Sequence, residues 1–204
     1  MLKLGHPPFP IRRWWATEGL CEIERIYFDA VRNAANLLDV GAGDLRVMRK
    51  FQKAGYTGEY HTQDIGPEGH YTYRSLDEVT QRYGAIVCLD VLEHLPLADG
   101  LSLVDRMISL LDPRGTLVIQ TPNAAYLPDP RSWDMTHVHL YNLPDLHAYL
   151  VCEGLETAGY RVTLDGGGSG LLRGVKRAIS AYVKSKILGC DHANNIALVA
   201  RRAR

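Results

Sequence analysis

The segment Leu37–Gly43, which reads Leu-Leu-Asp-Val-Gly-Ala-Gly, constrains the fold of this chain more than any other feature. Its apolar start predicts a buried strand, and the strand runs into a turn that contains two glycines. A predicted helix at 44–54 and a predicted strand at 59–63 follow, and Asp64 comes 21 residues after Gly43. A strand–turn–helix–strand unit of this kind begins a parallel α/β sheet. We therefore expect Asp64 and the glycine turn to meet at the carboxyl edge of that sheet, where such sheets bind ligands.

The rest of the chain continues the alternation of strands and helices. Apolar runs and helical periodicity predict strands at 37–40, 59–63, 70–73, 85–89, 116–120, 160–164 and 195–200, and helices at 18–35, 44–54, 96–111 and 142–154. This order predicts an α/β protein with a Rossmann-like, doubly wound, seven-stranded and mostly parallel sheet. The 204 residues fit a single domain over 1–204, with an N-terminal arm and helix at 1–35 and a basic insertion at 165–190.

Composition narrows the class of protein. The chain has 23 basic and 23 acidic residues, so its formal net charge of zero does not favour strong nonspecific binding to nucleic acid. Its four cysteines form no C-x-x-C pair, which favours a reducing compartment over a disulfide scaffold or a zinc site. Cys88 lies in an apolar run and is expected to pack as a small hydrophobic residue. Because neither a signal peptide nor a membrane-length apolar run is evident, we expect a cytoplasmic protein.

The glycine turn predicts a site for an adenosine cofactor. Gly41 and Gly43 let the backbone approach a ligand, the next helix offers free N–H groups, and Asp64 would accept both ribose hydroxyls. The simpler alternative is a tight turn with Asp64 as a surface cap. A dinucleotide fingerprint needs a third glycine where this chain has Arg46. Asp39 is awkward for a pyrophosphate and suits an ammonium group, which it would engage directly or through water.

Four segments, in order and correctly spaced, resemble the class I S-adenosylmethionine-dependent methyltransferases. Residues 37–43 resemble motif I, and 83–95, which contain Asp-Val-Leu-Glu-His-Leu, resemble the fourth-strand segment of the small-molecule branch (methyltransferase types 11 and 23). Residues 110–123 resemble the fifth-strand motif, and 137–141 resemble a His-x-x-x-[Phe/Tyr] segment. The resemblance spans about 37–160 and implies S-adenosylmethionine as the cofactor and an antiparallel last strand.

The resemblance also implies which residues hold the cofactor. The methionine end would lie against Asp39 and the turn, the ribose on Asp64, the adenine against Ile65, and the sulfonium beside the end of the fourth strand. The implied cofactor-binding set is Asp39, Gly41, Ala42, Gly43, Asp64, Ile65, Leu89 and Asp90. One departure lies inside motif I, because its third glycine is replaced by Leu45, which is expected to narrow the floor of the methionine pocket.

Histidines supply the candidates for catalysis. A base is needed only when the acceptor must lose a proton, and imidazole titrates near neutral pH. His94 and His137 are the candidate catalytic residues. The alternative for His94 is that it caps or packs the Pro96 helix, and the alternative for His137 is a plain loop hydrogen bond. His137 and His139 would share a face if extended, a spacing that can bind a metal. No other ligand motif accompanies them, so we predict no metal. The aromatic side chains of the same loop would form an apolar acceptor wall or pack in the core: Tyr126, Trp133 and Tyr141.

The segment 171–188 carries basic residues and no acidic ones. It would form a helix that packs on the sheet with a solvated basic face, or one that contacts a membrane surface or an anionic acceptor.

The predicted function is methyl transfer from S-adenosylmethionine to an O, N or C nucleophile of a small-molecule, glycan or lipid-linked acceptor. The alternatives are a non-catalytic cofactor-binding module of the same fold and an NAD-dependent oxidoreductase.

Overall fold

A computed structural model describes residues 11–12, 19–66, 69–127, 129–132, 134–165, 179, 182–183 and 191–202. Most of the predicted N-terminal arm, Trp133 and nearly all of the basic segment 171–188 lie outside these residues. Within them, no helix has the length and apolar character needed to cross a membrane.

The core of the fold is a six-stranded sheet. Its strands are β2 (Asn36–Val40), β3 (Glu59–Gln63), β4 (Tyr83–Leu89), β5 (Leu111–Pro122), β6 (Leu155–Val162) and β8 (Asn195–Arg202), in the spatial order β3-β2-β4-β5-β8-β6. The first four are mutually parallel, whereas β8 is antiparallel to both β5 and β6. A separate pair, β1 (Ile11–Arg12) and β7 (Leu164–Asp165), is parallel. The mostly parallel sheet with an antiparallel last strand is therefore confirmed.

The prediction of seven strands is wrong for the described residues, because 70–73 does not extend the sheet. Only an isolated bridge joins Gln63 to Tyr73. Beside it, the Thr62 N–H donates to the Thr72 hydroxyl at 3.1 Å, and the Thr72 N–H donates to the Thr62 hydroxyl at 3.2 Å. Threonine side chains that bond neighbouring backbone in this way compete with the strand ladder. The segment therefore lies along the edge of β3 without becoming a strand.

Among the residues that the structure describes, four helices cover the two faces of the sheet. They are α1 (Glu22–Val31), α2 (Arg46–Lys53), α3 (Leu97–Leu110) and α4 (Leu143–Cys152). Consecutive strand residues point to opposite faces, so Leu38 packs with the α3 and α4 cluster and Leu37 packs with the α1 and α2 cluster. Cys88 is fully buried in the first of these clusters, as expected. The doubly wound arrangement is confirmed.

The structure confirms the predicted start of the helix at 142–154 and the predicted end of the helix at 44–54. The Asn142 side chain accepts a hydrogen bond from the Asp145 N–H at 2.8 Å and caps α4. Gly55 has a φ of +102° just beyond α2, a conformation that glycine adopts without a Cβ penalty.

Strand order fixes where a ligand would bind. The chain passes from β2 to β3 on one side and then returns to place β4 on the other side of β2. In open α/β sheets, the crevice at the carboxyl ends of the strands flanking such a reversal is the ligand site. The residues that follow β2, β3 and β4 therefore define the candidate site.

Candidate active site

In the glycine turn after β2, Gly41 packs tightly against a neighbouring side chain and Gly43 faces open space. Gly41 and Gly43 have φ values of +72° and +49°, in the left-handed region. A Cβ on Gly41 would lie 2.2 Å from the Val91 Cγ2 atom, so only glycine fits there. A Cβ on Gly43 would meet nothing nearer than the Gly41 carbonyl at 4.0 Å. The turn thus leaves an open cradle over Gly43, as a bound ligand requires.

Asp64 lies beside this turn, where the sequence predicts it. Its Oδ2 atom accepts a hydrogen bond from the Gly43 N–H at 2.7 Å, and its Oδ1 atom accepts one from the Gly66 N–H at 2.7 Å. Each carboxylate oxygen retains a second acceptor position, so the group can still receive two vicinal hydroxyls. The next side chain, Ile65, is 86% exposed. The same two hydrogen bonds would also serve the alternative of a tight turn with Asp64 as a cap, so the ribose contact stays a prediction.

The main chain ties the turn to β3. The N–H groups of Gly41 and Ala42 both donate to the Gln63 carbonyl, at 2.8 and 3.0 Å. Ala42 is buried, whereas Gly43 is exposed. The turn and Asp64 are therefore held together by backbone bonds on one side and by a carboxylate on the other.

Asp39, just before the turn, is buried. It is 2% exposed, and its Oδ2 atom accepts a hydrogen bond from the Tyr60 hydroxyl at 2.8 Å. Burial raises the pKa of Asp39 to about 7, against the lowering effect of the Tyr60 bond, and the nearby carboxylates of Asp64 and Asp44 raise it further. This burial favours the water-mediated form of the predicted contact with an ammonium group over the direct form.

Asp90 follows Leu89 at the carboxyl end of β4, and side chains from β5 and β8 hold it. It has a φ of +56°, and such strained non-glycine conformations cluster at functional sites. The Gln120 side-chain amide donates to both of its carboxylate oxygens at 3.0 Å, and the Asn195 amide donates at 3.3 Å. Gln120 in turn accepts from the Tyr27 hydroxyl at 2.7 Å. Burial raises the pKa of Asp90 despite the bonds from Gln120.

The sequence does not point to these supporting polar residues in advance. Only Gln120 carries a usable signal, because it interrupts the apolar run of β5 and is 2% exposed. An amide in a central strand needs a partner, so its position could have indicated a buried polar network. Tyr27, Tyr60 and Asn195 carry no comparable signal in one sequence.

The two candidate histidines lie close together beyond the carboxyl end of β4. A short 3-10 turn, Leu92–His94, follows Asp90, and the rings of His94 and His137 lie 5.2 Å apart between centroids. The Glu93 carbonyl accepts from the N–H groups of Val138 and His139, at 2.7 and 3.2 Å. These two bonds fix the loop that carries His137 against the end of β4.

Glu93 is a third acidic group at this edge. It is 1% exposed, and its Oε2 atom accepts from the Thr121 hydroxyl at 2.9 Å. Burial, with the added negative charge of Asp90, raises the pKa of Glu93 to about 8. The sequence does not single out this carboxyl group, because a glutamate beside a histidine after an apolar strand carries no information about which way it points.

Tyr141, one of the residues predicted either to line an acceptor pocket or to pack in the core, is buried in the core. Tyr141 is 6% exposed and belongs to the core, so of the two predicted roles it has the packing role. His139 packs edge-on against Tyr141, with ring centroids 4.9 Å apart. Among the described residues of this loop, the exposed apolar side chains include Met135, at 97%, and Val138, at 55%.

Comparisons with known proteins agree with this architecture. A family model described as a methyltransferase domain matches residues 19–162. The ubiquinone biosynthesis O-methyltransferase of Xanthomonas campestris pv. campestris (strain B100) is 26% identical over an alignment of 137 residues, which covers 54% of this chain and 56% of that protein. The chain thus spans little more than half the length of the curated relatives it matches.

Solved structures show the same fold. A SAM-dependent methyltransferase from Archaeoglobus fulgidus has a TM-score of 0.68 at 18% identity, covering 87% of this chain and 90% of that one. Magnesium protoporphyrin IX methyltransferase from Synechocystis PCC 6803, crystallised with bound SAM, has a TM-score of 0.53 at 17% identity, covering 89% and 76%. The chain belongs to the methyltransferase domain family, and its fold is that of the class I S-adenosylmethionine-dependent methyltransferases.

Proposed function

We propose that this chain binds S-adenosylmethionine at the edge formed by β2, β3 and β4 and transfers its methyl group to a small-molecule acceptor. The observation that carries the proposal is the contact between Asp64 and the Gly43 N–H, with an open cradle above the glycine. The alternative of a nicotinamide dinucleotide lacks support, because Arg46 stands in place of the third glycine.

Individual groups of this cofactor can each be matched to a side chain at the carboxyl ends of β2, β3 and β4. Asp64 would accept the ribose hydroxyls, and the exposed Ile65 would cover the adenine. Asp39 and Asp90 would place negative charge near the amino and sulfonium groups, and Leu89 would line the cofactor between them. The bound cofactor supplies an activated methyl group, so the protein mainly aligns the acceptor and excludes water.

The acceptor side supports a hydroxyl-bearing small molecule. His94 and His137, whose rings lie 5.2 Å apart, would face the methyl group, and the loop that carries His137 also carries the exposed apolar side chains of Met135 and Val138. The curated relative acts in ubiquinone biosynthesis as an O-methyltransferase. We therefore take an aromatic hydroxyl as the first acceptor class, ahead of glycan and lipid-linked acceptors and of N or C nucleophiles.

Calorimetry with S-adenosylhomocysteine tests the cofactor proposal. We expect one site per chain and an affinity about 10–100-fold weaker in Asp64→Asn, since a hydrogen bond to a charged group contributes about 1.5–3 kcal/mol. Asp112→Asn is the matched control, because Asp112 lies at the amino-terminal end of β5, whereas the proposed site lies at the carboxyl ends of the strands.

Two results would count against the proposal. A folded wild-type chain that gives no heat of binding would overturn the cofactor assignment, and circular dichroism establishes that the chain is folded. Binding without methyl transfer across a panel of phenolic, amine and carbon acceptors would favour the non-catalytic module instead.

A further inference from the structure

We propose that Glu93, His94 and His137 form a binding site for a divalent metal ion of the zinc type. One potential ligand atom from each of the three residues lies within 4.8 Å of the others. The sequence predicts no metal, because it offers only His137 with His139 as a candidate pair. The fold instead brings His137 next to His94, which follows β4. It also adds the carboxylate of Glu93, to which the sequence does not point.

Hydrogen bonds around the cluster already orient these ligands. The His137 Nδ1 atom lies 3.1 Å from the Pro130 carbonyl, and the His94 Nδ1 atom lies 2.9 Å from the Thr136 hydroxyl and 3.3 Å from its carbonyl. Bonds of this kind fix the proton on Nδ1 and leave the Nε2 lone pair for a metal. Metal-bound histidines nearly always have such a partner on the other ring nitrogen.

Glu93 has the matching arrangement for a carboxylate ligand. Its Oε2 atom is held by the Thr121 hydroxyl, and its side chain is buried. No cationic side chain of the described residues forms an ion pair with it. Buried carboxylates are normally paired with a cation or coordinate a metal, and a bound dication would favour the ionised form of Glu93.

The donor set selects the class of metal. Two imidazoles and one carboxylate are ligands of zinc-type ions, which bind histidine at about 2.0–2.1 Å and leave a fourth position open. Mg²⁺ and Ca²⁺ prefer oxygen donors and are disfavoured by the two nitrogens.

The site would lie on the acceptor side of the edge, next to Asp90. Its open position would then face an acceptor oxygen, and this role, unlike binding itself, depends on the proposed function. A metal there lowers the pKa of a coordinated hydroxyl. The hydroxyl proton would leave to solvent, the oxygen would form the new bond to the methyl carbon, and the carbon–sulfur bond would break to release S-adenosylhomocysteine.

Titration of the metal-free full chain with Co²⁺ and Zn²⁺, in the absence of cofactor, tests the site. We expect one ion per chain by equilibrium dialysis, with a visible Co²⁺ spectrum that lacks thiolate-to-cobalt absorption. His94→Ala, His137→Ala and Glu93→Gln should each weaken binding at least about tenfold, since even changes to the outer shell of a metal site reduce affinity by about 10–100-fold. His139→Ala is the matched control and should bind like wild type.

The variants also separate a true site from adventitious binding. His94 is exposed, so its removal leaves the folded core intact and keeps the test valid even if Glu93→Gln does not fold. Binding that is absent in wild type, or equal in wild type and His94→Ala, would overturn the metal site. Because the titration contains no cofactor, this result is independent of whether S-adenosylhomocysteine binds.

Discussion

At the residue scale, Leu45 shows the cost of departing from the family pattern. It stands before α2 with a φ of +60°, a conformation that glycine adopts freely and that is unfavourable for a leucine. The sequence predicts that the Leu45 side chain narrows the methionine pocket, and this stays a prediction. What the structure adds is a backbone reason for the family's glycine at this position.

Replacing Leu45 by glycine should stabilise the fold. Leu45→Gly relieves a left-handed strain of about 1–2 kcal/mol, and the greater freedom of the unfolded chain offsets part of the gain. We expect a net increase of about 0.5–1 kcal/mol in the free energy of unfolding, measured by urea denaturation. Leu103→Gly, within α3, is the control and should lose about 1 kcal/mol or more. Equal losses in both variants would mean that Leu45 packing outweighs its strain.

At the element scale, a buried ion pair joins α1 to α2. The Lys50 ammonium lies 2.7 and 2.8 Å from the two carboxylate oxygens of Glu24, and both side chains are under 10% exposed. Glu24 also accepts from the Cys21 N–H at 2.9 Å, at the start of α1. Breaking a buried pair from one side leaves an uncompensated charge.

Lys50→Met should therefore destabilise the protein by about 3–5 kcal/mol. Glu24→Gln/Lys50→Met removes both charges and should recover part of that loss, as thermal or urea unfolding would show. Arg49→Met is a suitable control, because Arg49 is exposed and its ion pair with Asp44 contributes about 0–1 kcal/mol. A Lys50→Met loss no greater than the Arg49→Met loss would contradict the argument.

The elements themselves were largely predictable, and the reasons for the misses are physical. Continuous apolar runs identified β2 and β4, and Asn142 and Gly55 marked helix ends, because these signals are local. β6 begins at Leu155, five residues before the predicted strand at 160–164, since its first half is paired with β8 rather than marked by an apolar run. The cluster of Glu93, His94 and His137 was not predictable, because it depends on where a loop 42 residues away returns.

At the scale of the whole molecule, the ligand edge concentrates negative charge that the fold has to accommodate. Asp39, Asp90 and Glu93 all lie near the carboxyl ends of parallel strands, and burial raises the pKa of each. The hydrogen-bond partners of these three groups are uncharged side chains, so they do not neutralise a carboxylate charge. An edge of this kind favours cationic ligands and lowers the stability of the ligand-free protein at neutral and alkaline pH.

The effect of this buried charge on the stability of the ligand-free protein can be measured at Asp39. Its pKa is about 7 in the folded chain, above its ordinary value of 3.8, so the folded state holds the extra proton between these two values. The stability that Asp39 contributes is therefore complete below about pH 4 and is lost as the pH rises through about 7. Asp39→Asn stays neutral and keeps an acceptor for the Tyr60 hydroxyl. We expect the free energy of unfolding of wild type, relative to Asp39→Asn, to fall by about 2–3 kcal/mol from pH 5 to pH 8. Urea unfolding at each pH measures it, and parallel pH profiles for the two proteins would show that Asp39 keeps an ordinary pKa and that the edge holds its charge at no cost to stability.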